Sequence, residues 1–281
     1  MKNICGVVIL FNPLENYAEN IKSYLPYVQK LFIIDNSEKF EAIPGFLKVA
    51  NIVIIQDGQN KGIGTRLNDA AVLAKESGYK WMLTMDQDSY FQPLYIENYI
   101  KCLNKQIDCH SVAMFGVEYE NELKESDCSV MENHHVITSG SVVNLELWEK
   151  IGGFDEALFI DEVDTEYCYR ARLHGFKIIS FKNIFLNHQI GAASIRRSFK
   201  NLKKTDRALH SPLRLYYMVR NHLYVKEKYE KHFPEVFKKR KKDLLVSIKN
   251  NLLYGKNRTS VVMAIIRAGI DFKKKKMGKR A

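Results

Sequence analysis

Along the first 115 positions, short apolar runs alternate with segments in which apolar residues recur at helical spacing. Ile4 to Phe11 reads as a strand, and Tyr17, Ile21, Tyr24, Leu25 and Val28 mark a helix over Asn16 to Gln29. Strands follow at Leu31 to Ile34 and Asn51 to Gln56, then a helix from Gly62 to Lys75 with Leu67, Ala70, Ala71 and Ala74 on one face. The run Trp81 to Met85, apolar, partly aromatic and bounded by polar residues, predicts a buried central strand. A helix from Pro93 to about Lys105 and a strand from Ser111 to Val117 complete the series. Strands separated by helices predict an α/β fold with a mainly parallel, Rossmann-like sheet.

Beyond this the pattern weakens. Cys109 to His135 is acidic and irregular, a short strand is expected at His135 to Ser139, and Asn144 to Lys150 reads as a helix closed by Gly152 and Gly153. In Gly152 to Gly175 a helix is expected from Asp161, with Asp161 and Asp164 spaced as a capping box and Arg170 and Arg172 in the last turn. A strand near Ile184 ends at His188. Leu213 to Tyr229, Val236 to Leu253 and Ser260 to Phe272 read as basic amphipathic helices.

Charge divides the chain. Residues 1 to 194 carry 17 Lys/Arg against 26 Asp/Glu, whereas the remaining 87 carry 26 against 6. We therefore divide it into an acidic domain over residues 1–195 and a basic helical region over 196–281. So basic a segment calls for an anionic partner. The amphipathic spacing favours an anionic membrane surface, and the acidic body argues against an extended nucleic-acid groove. The five cysteines are odd in number and widely spaced, which predicts no disulfide and a reducing, cytoplasmic setting. No apolar run approaches the length of a membrane span.

Polar clusters fall where predicted strands end: Asn12-Pro13, Asp35-Asn36, Asn60, and Asp86-Gln87-Asp88. In a parallel sheet these ends share one edge, where ligands of open α/β sheets bind. If the last segment is extended, Asp86 and Asp88 project to the same side and can offer hard oxygens to one divalent cation. Isolated, such a pair equally suits a strand-ending turn. Gly62-Ile63-Gly64-Thr65-Arg66-Leu67 is similar to the phosphate loop of sugar-nucleotide pyrophosphorylases, but it follows the third strand where that family has it after the first. Six acids crowd twelve residues: Asp155, Glu156, Asp161, Glu162, Asp164 and Glu166. Crowded carboxylates supply a general base if one faces a substrate hydroxyl.

Taken together, VVILFN, IIDNS, NKGIGTRLN, MDQDS, TSGSVVN, GGFDEALFIDEVDTEYCYR and LNH resemble the family-2, GT-A-fold inverting glycosyltransferases, in particular their bacterial rhamnosyltransferase-like branch, over residues 4 to 195. The resemblance implies that Asp35 binds the nucleotide base with Phe11, Asn12 and Asn60 beside it, and that Gly62 lies at the donor loop. It implies that Asp86 and Asp88 hold Mg²⁺ or Mn²⁺ against the donor diphosphate, with His188 where some members supply a third ligand. Asp164 aligns with the catalytic base. Val163 stands where the family has Glu, which keeps Asp161 as a rival. The implied activity is inverting transfer, best fitted by rhamnose from dTDP-rhamnose, with UDP-linked donors as alternatives. The implied acceptor is a saccharide or lipid-linked saccharide, reached from the inner face of the cell membrane. A sugar-nucleotide pyrophosphorylase and a basic nucleic-acid-binding protein are the competing readings.

Overall fold

The computed structural model describes every residue except 1–2, 14–15, 40–43, 48, 107–109, 120–127, 189–192, 198–203 and 281, and leaves out the side chains of 46, 188, 193–197 and 204–206. Cys109 lies outside the described residues.

Strand β1 (Ile4–Leu10) is buried along its whole length. It pairs in parallel with β2 (Leu31–Asp35) on one side and, on the other, with the Trp81–Asp86 strand. Between them come helix α1 (Tyr17–Lys22), strand β3 (Ile52–Gln56), parallel to β2, and helix α2 (Ile63–Glu76), so that Trp81–Asp86 is β4. Next in the chain are β5 (Ser89–Tyr90), α3 (Pro93–Gln106), β6 (Val112–Glu118), β7 (Val130–Glu132), β8 (Ser141–Asn144), α4 (Leu145–Ile151), α5 (Val163–Leu173), β9 (Lys177–Phe185) and β10 (Asn187–His188). Eight strands form one sheet, ordered β3-β2-β1-β4-β8-β6-β9-β7. β8 runs antiparallel to both its neighbours, β4 and β6, and β7 is antiparallel to β9. The other six strands share one direction, so the predicted mainly parallel α/β sheet is what forms.

Burial explains why these segments were readable. β4 is buried from Trp81 to Met85, and Leu67, Ala70, Ala71 and Ala74 of α2 are all in the core. Three expectations need correction. The first helix stops at Lys22 and gives way to a 3₁₀ turn at Leu25–Tyr27, because Pro26 lacks the N–H that a continuing α-helix needs. The strand expected at His135 to Ser139 forms instead at Ser141–Asn144, after Gly140 turns the chain at φ 73°. The cysteines also hold a surprise. Cys102, on the core face of α3, is disulfide-bonded to Cys128, with Cα atoms 5.2 Å apart. A separation of 26 residues matches no short cysteine motif, so spacing could not reveal the pair.

The chain divides into two compact units. The first comprises Met1–Phe159 and Val163–Gln189; the second comprises Ile160–Glu162 and Ile190–Ala281. In the first, Arg66 of α2 is only 1% exposed. Its Nε donates to Asn36 Oδ1 (3.1 Å), Nη1 to Asp57 Oδ2 (3.0 Å) and Asp69 Oδ2 (3.3 Å), and Nη2 to the Gln59 carbonyl (2.6 Å) and to Asp57 Oδ1. One guanidinium thus ties the end of β2 to the β3–α2 loop, and every donor it spends is one that burial would otherwise leave unsatisfied.

In the second unit, β11 (Ala193–Arg197) and β12 (Lys204–Ala208) form an antiparallel hairpin that the sequence pattern did not predict. Helices α6 (Pro212–Tyr229), α7 (Pro234–Tyr254) and α8 (Arg258–Lys273) follow, close to the predicted bounds. α6 is less a surface helix than its basic sequence suggests: Arg220, Asn221 and His222 are all buried. Arg220 Nη1 donates to the Gly278 carbonyl (2.8 Å), and the Arg280 amide donates to the Tyr217 hydroxyl (2.8 Å), so the lysine-rich end of the chain is fastened to α6. No helix among the described residues is long and apolar enough to cross a membrane.

Arg66→Ala should cost about 3 kcal/mol in urea unfolding, since it strips partners from a buried ionic cluster. The Arg66 guanidinium also holds the Asp57 carboxyl below the usual carboxylate range. A lowered folded-state pKa contributes stability above the unfolded value, around pH 4, and that stability is lost as pH falls below it. Asp57→Asn should therefore flatten the acid limb of a stability-against-pH curve; an unchanged limb would show that the pair contributes nothing.

Candidate active site

The four parallel strand ends meet through side-chain to backbone bonds. Register sets Leu10 opposite Asp35, Asp35 opposite Gln56, and Ile9 opposite Asp86. The Asn12 amide donates to Ser37 Oγ (2.7 Å), and Asn36 Nδ2 to Asn60 Oδ1 (3.0 Å), while Asn36 Oδ1 accepts from the Lys61 amide (2.8 Å). Asn12 sits at φ 44°, a left-handed conformation that Asn tolerates better than most residues. Phe11, at the tip of β1, is 46% exposed, a large apolar surface at the sheet edge. Asp35 is only 2% exposed; its Oδ1 accepts from the Ser37 amide (2.9 Å) and its Oδ2 from Gln56 Nε2 (3.1 Å).

The Asp86-Gln87-Asp88 segment is not extended. β4 ends at Asp86, and Gln87 and Asp88 form a turn before β5, so strand alternation does not place the two carboxylates. Other groups do. The Gln87 side chain bonds β1 in both directions, accepting from the Phe11 amide (2.8 Å) and donating to the Phe11 carbonyl (3.2 Å). Asn20 Nδ2 reaches the Gln87 carbonyl (2.9 Å). Ser139 Oγ accepts from the Asp86 amide (3.1 Å) and donates to Ser89 Oγ (2.9 Å). β10 pairs with β5 so that His188 stands opposite Ser89, one residue beyond Asp88; the His188 side chain lies outside the described residues.

The loop at Gly62 differs from a phosphate cradle. Gly62 has φ 87°, and a Cβ there would lie 2.6 Å from the Phe159 carbonyl oxygen. The Ile63 amide, at the start of α2, donates to that oxygen (2.6 Å). Asn68, one turn on, receives the Phe154 amide (2.8 Å) and Trp148 Nε1 (3.2 Å) on Oδ1. The close approach that requires glycine is to the chain itself.

Most of the crowded acids have structural employment. Asp155 Oδ1 accepts the Ala157 amide (3.1 Å), and Glu156 accepts from Thr65 Oγ1 (3.1 Å) and Asn68 Nδ2 (2.9 Å). Fully buried Glu166 pairs with Arg170 Nη2 (2.8 Å), which also donates to the Gly153 carbonyl while Nη1 donates to the Ile151 carbonyl (2.7 Å each). In the second unit Asp161 pairs with Arg214 (2.9 Å) and Glu162 with Arg240. The expected capping box is not made: Asp161 and Glu162 have φ 61° and 70°, and the helix begins only at Val163. Asp164 is half-buried in the first turn of α5, its Oδ1 accepting the Thr165 amide (2.7 Å).

The Tyr119 hydroxyl donates to the Ser139 carbonyl (2.6 Å), and its pKa is pushed well above the ordinary tyrosine value by burial first and then by nearby Asp86, Tyr99 and Asp164. Tyr119, Ser139, Gln87 and Arg66 escaped the sequence reading, since each acts by a partner distant in the chain. Among the described residues no group of three or more His, Cys, Asp or Glu side chains is arranged to hold a cation. Asp86 and Asp88 supply the carboxylate oxygens that Mg²⁺ and Mn²⁺ accept, and a diphosphate would provide further oxygens.

Comparison with known proteins supports the fold. No family model matches the chain. It is 27% identical over 294 residues to the dTDP-rhamnosyl transferase RfbF of Shigella flexneri, an alignment that covers 97% of this chain and 92% of that one. Staphylococcus aureus TarS superposes with a TM-score of 0.58 at 15% identity over 95% of this chain, which spans about half (49%) of the TarS chain. TarS 1–349, solved in complex with UDP-GlcNAc, gives 0.57 at 14% identity and is covered to 81%. GalNAc-T7, solved with UDP, GalNAc and Mn²⁺, gives 0.58 at 10% identity over 97% of this chain and 57% of its own. The eight-stranded sheet with the acidic segment at its carboxyl edge has the GT-A fold.

Gly62→Ala tests the packing account of the α2 loop. With the Phe159 carbonyl in the way and φ positive, the variant should lose about 2 kcal/mol or more of stability. Melting within a degree of the parent, with weakened phosphate binding, would restore the cradle reading.

Proposed function

We propose that the chain transfers rhamnose from dTDP-rhamnose, with inversion at the anomeric carbon, to a hydroxyl of a saccharide or lipid-linked saccharide in bacterial surface polysaccharide synthesis. The observation that carries this is the gathering of Asp35, Gln56 and Asp86 at the ends of the parallel strands β2, β3 and β4. Likeness to RfbF supports the donor, and the UDP-GlcNAc complex of TarS supports nucleotide-sugar binding by this fold.

In this reading Asp35, Phe11, Asn12 and Asn60 form the nucleotide end of the site. Asp35 reaches the base ring through the lone pairs that Ser37 and Gln56 leave, and Phe11 offers an apolar face. Asp86 and Asp88, with His188 as a third candidate, would hold Mg²⁺ or Mn²⁺, which neutralises charge on the departing diphosphate. Gln87 and Ser139 fix the Asp86 turn against β1 and β5. Asp164 takes the proton from the acceptor hydroxyl as its oxygen bonds to the anomeric carbon, and the bond from that carbon to the donor phosphate oxygen breaks with its electron pair leaving on the nucleoside diphosphate. One displacement inverts the centre. Asp161, the rival base, is paired with Arg214 in the second unit (2.9 Å). The pyrophosphorylase alternative rested on the Gly62 loop, whose tight contact is with Phe159.

Asp164→Asn should lower transfer about 10²-fold or more while dTDP-rhamnose binding and melting temperature hold. Asp86→Ala and Asp88→Ala should each abolish the Mn²⁺-dependent part of nucleoside diphosphate affinity in a folded protein. An active Asp164→Asn beside a dead, folded Asp161→Asn would move the base to Asp161, and metal-dependent affinity unchanged in both alanine variants would remove the cation from the site.

The C-terminal helices supply the membrane element of this proposal. On α7, Lys238, Lys241, Lys242 and Lys249 surround Leu245 and Val246, which are 55% and 48% exposed. Cationic side chains beside exposed apolar ones suit an anionic bilayer surface, each lysine contributing about 1 kcal/mol. Deleting the terminal lysines is a poor test, because it also removes the Gly278 carbonyl that Arg220 uses. Reversing the four α7 lysines to Glu should abolish flotation with phosphatidylglycerol vesicles and leave nucleotide affinity intact; undiminished flotation would refute the α7 surface.

A further inference from the structure

The second unit contains a cavity of about 420 Å³ that the donor site does not use. Its walls come from the 160–162 segment, the end of β12, α6 and α7. The volume falls in the range of small-molecule pockets.

Its chemistry excludes two ligand classes. Three carboxylates, Asp161, Glu162 and Asp243, line it against one guanidinium, Arg240, so a phosphate, diphosphate or uronate would meet a net negative wall. Glu162 is held ionised: burial would raise its carboxyl, and His222 and Arg240 outweigh that and keep it below the usual range. A divalent cation is disfavoured as well, since among the described residues no acids and histidines are disposed as a ligand set. What remains suits an uncharged polyhydroxylated ring. Carboxylates and Asn250 accept from and donate to hydroxyls, and Met218, Leu244 and Val246 supply apolar surface for the C–H face of a sugar.

Two buried polar atoms of cavity-lining residues strengthen this. His222 is 5% exposed, and its Nε2, together with Ser247 Oγ, has no hydrogen-bond partner among the described residues. Buried polar groups are rarely left so, because an unmet donor or acceptor loses its hydration with nothing in return, and a ligand that bonds them restores it. The wall itself is built under strain. Asp161 and Glu162 both hold left-handed backbone, fixed by Asn221 Nδ2, which donates to the Ile160 (2.6 Å) and Asp161 (3.1 Å) carbonyls, and by the Arg214 and Arg240 pairs. One residue, Val163, separates Glu162 from Asp164 in the chain.

We infer that this cavity is a subsite for the acceptor and that it takes a neutral saccharide ring. The inference rests on the glycosyltransferase reading for the word acceptor, and on the cavity alone for the word saccharide.

Saturation-transfer NMR on the full chain tests it, with methyl α-L-rhamnopyranoside, methyl β-D-glucopyranoside and methyl α-D-galactopyranoside as neutral probes and glucuronate and pyrophosphate as anionic ones. At least one neutral glycoside should receive saturation, and Ser247→Leu, which fills the cavity, should weaken it roughly tenfold or more while nucleoside diphosphate affinity stays at the parent value. Ser247→Val serves the same purpose if the larger side chain prevents folding. Silence from every neutral glycoside, equal saturation in a folded variant, or stronger binding of the anions would overturn the inference. Glycoside binding that survives in a protein binding no nucleotide sugar would uphold the cavity as a saccharide site and sink the transferase reading instead.

Discussion

A single buried guanidinium organises the carboxyl edge of the sheet. Arg66 leaves the first turn of α2 and spends its donors on Asn36, Asp57, Gln59 and Asp69, which belong to the β2 end, the β3–α2 loop and its own helix. Lysine could not replace it, because a point charge with three donors cannot bridge partners set around a planar fork. Asn36, positioned from one side by Arg66, in turn receives the Lys61 amide and bonds Asn60. The loops that would meet a nucleotide are thus fixed before any nucleotide arrives, and their ordering entropy is spent during folding.

A second constraint acts around β1. Gln87 lies between the two acids that draw attention in the sequence, yet it contributes more to the geometry than its position suggests, since its amide closes a two-way bridge to Phe11. Ser139 performs the corresponding task from the β8 side. The acids can then sit in a turn and still be held, which a strand-end carboxylate pair without such supports would not be. Pre-organised charge of this kind is worth more to catalysis than charge that must be gathered during the reaction.

Much of this was legible because burial and periodicity coincide. β1, β2 and β4 are buried on both faces, so they read as continuous apolar runs, and α2 shows its alanine face plainly. Where the signal is local, as at Asn144, whose side chain caps α4, and at Gly152, which closes it at φ 96°, the sequence also sufficed. It failed where the deciding partner is remote. Gly62 looks like a ligand loop until Phe159 arrives against it; Asp161 looks like a helix cap until Arg214 and Asn221 bend it into left-handed backbone; Cys102 and Cys128 look unrelated until α3 and β7 are in place. The same limit applies to the site. Asp86 was picked out singly, but the Ser139 hydroxyl that holds its amide lies 53 positions away.

The three residues Ile160 to Glu162 belong to the second unit while their neighbours on either side belong to the first. This interruption bears on how such enzymes diversify. A C-terminal region joined at one point can be exchanged by a single crossover, carrying its binding preference with it. Here the exchange would leave behind a tripeptide shaped for Asn221, Arg214 and Arg240, and the incoming helices would meet a segment that fits none of them. A change in the C-terminal helices therefore has to be matched in the 160–162 segment, which precedes them in the chain with Val163–Gln189 of the first unit in between.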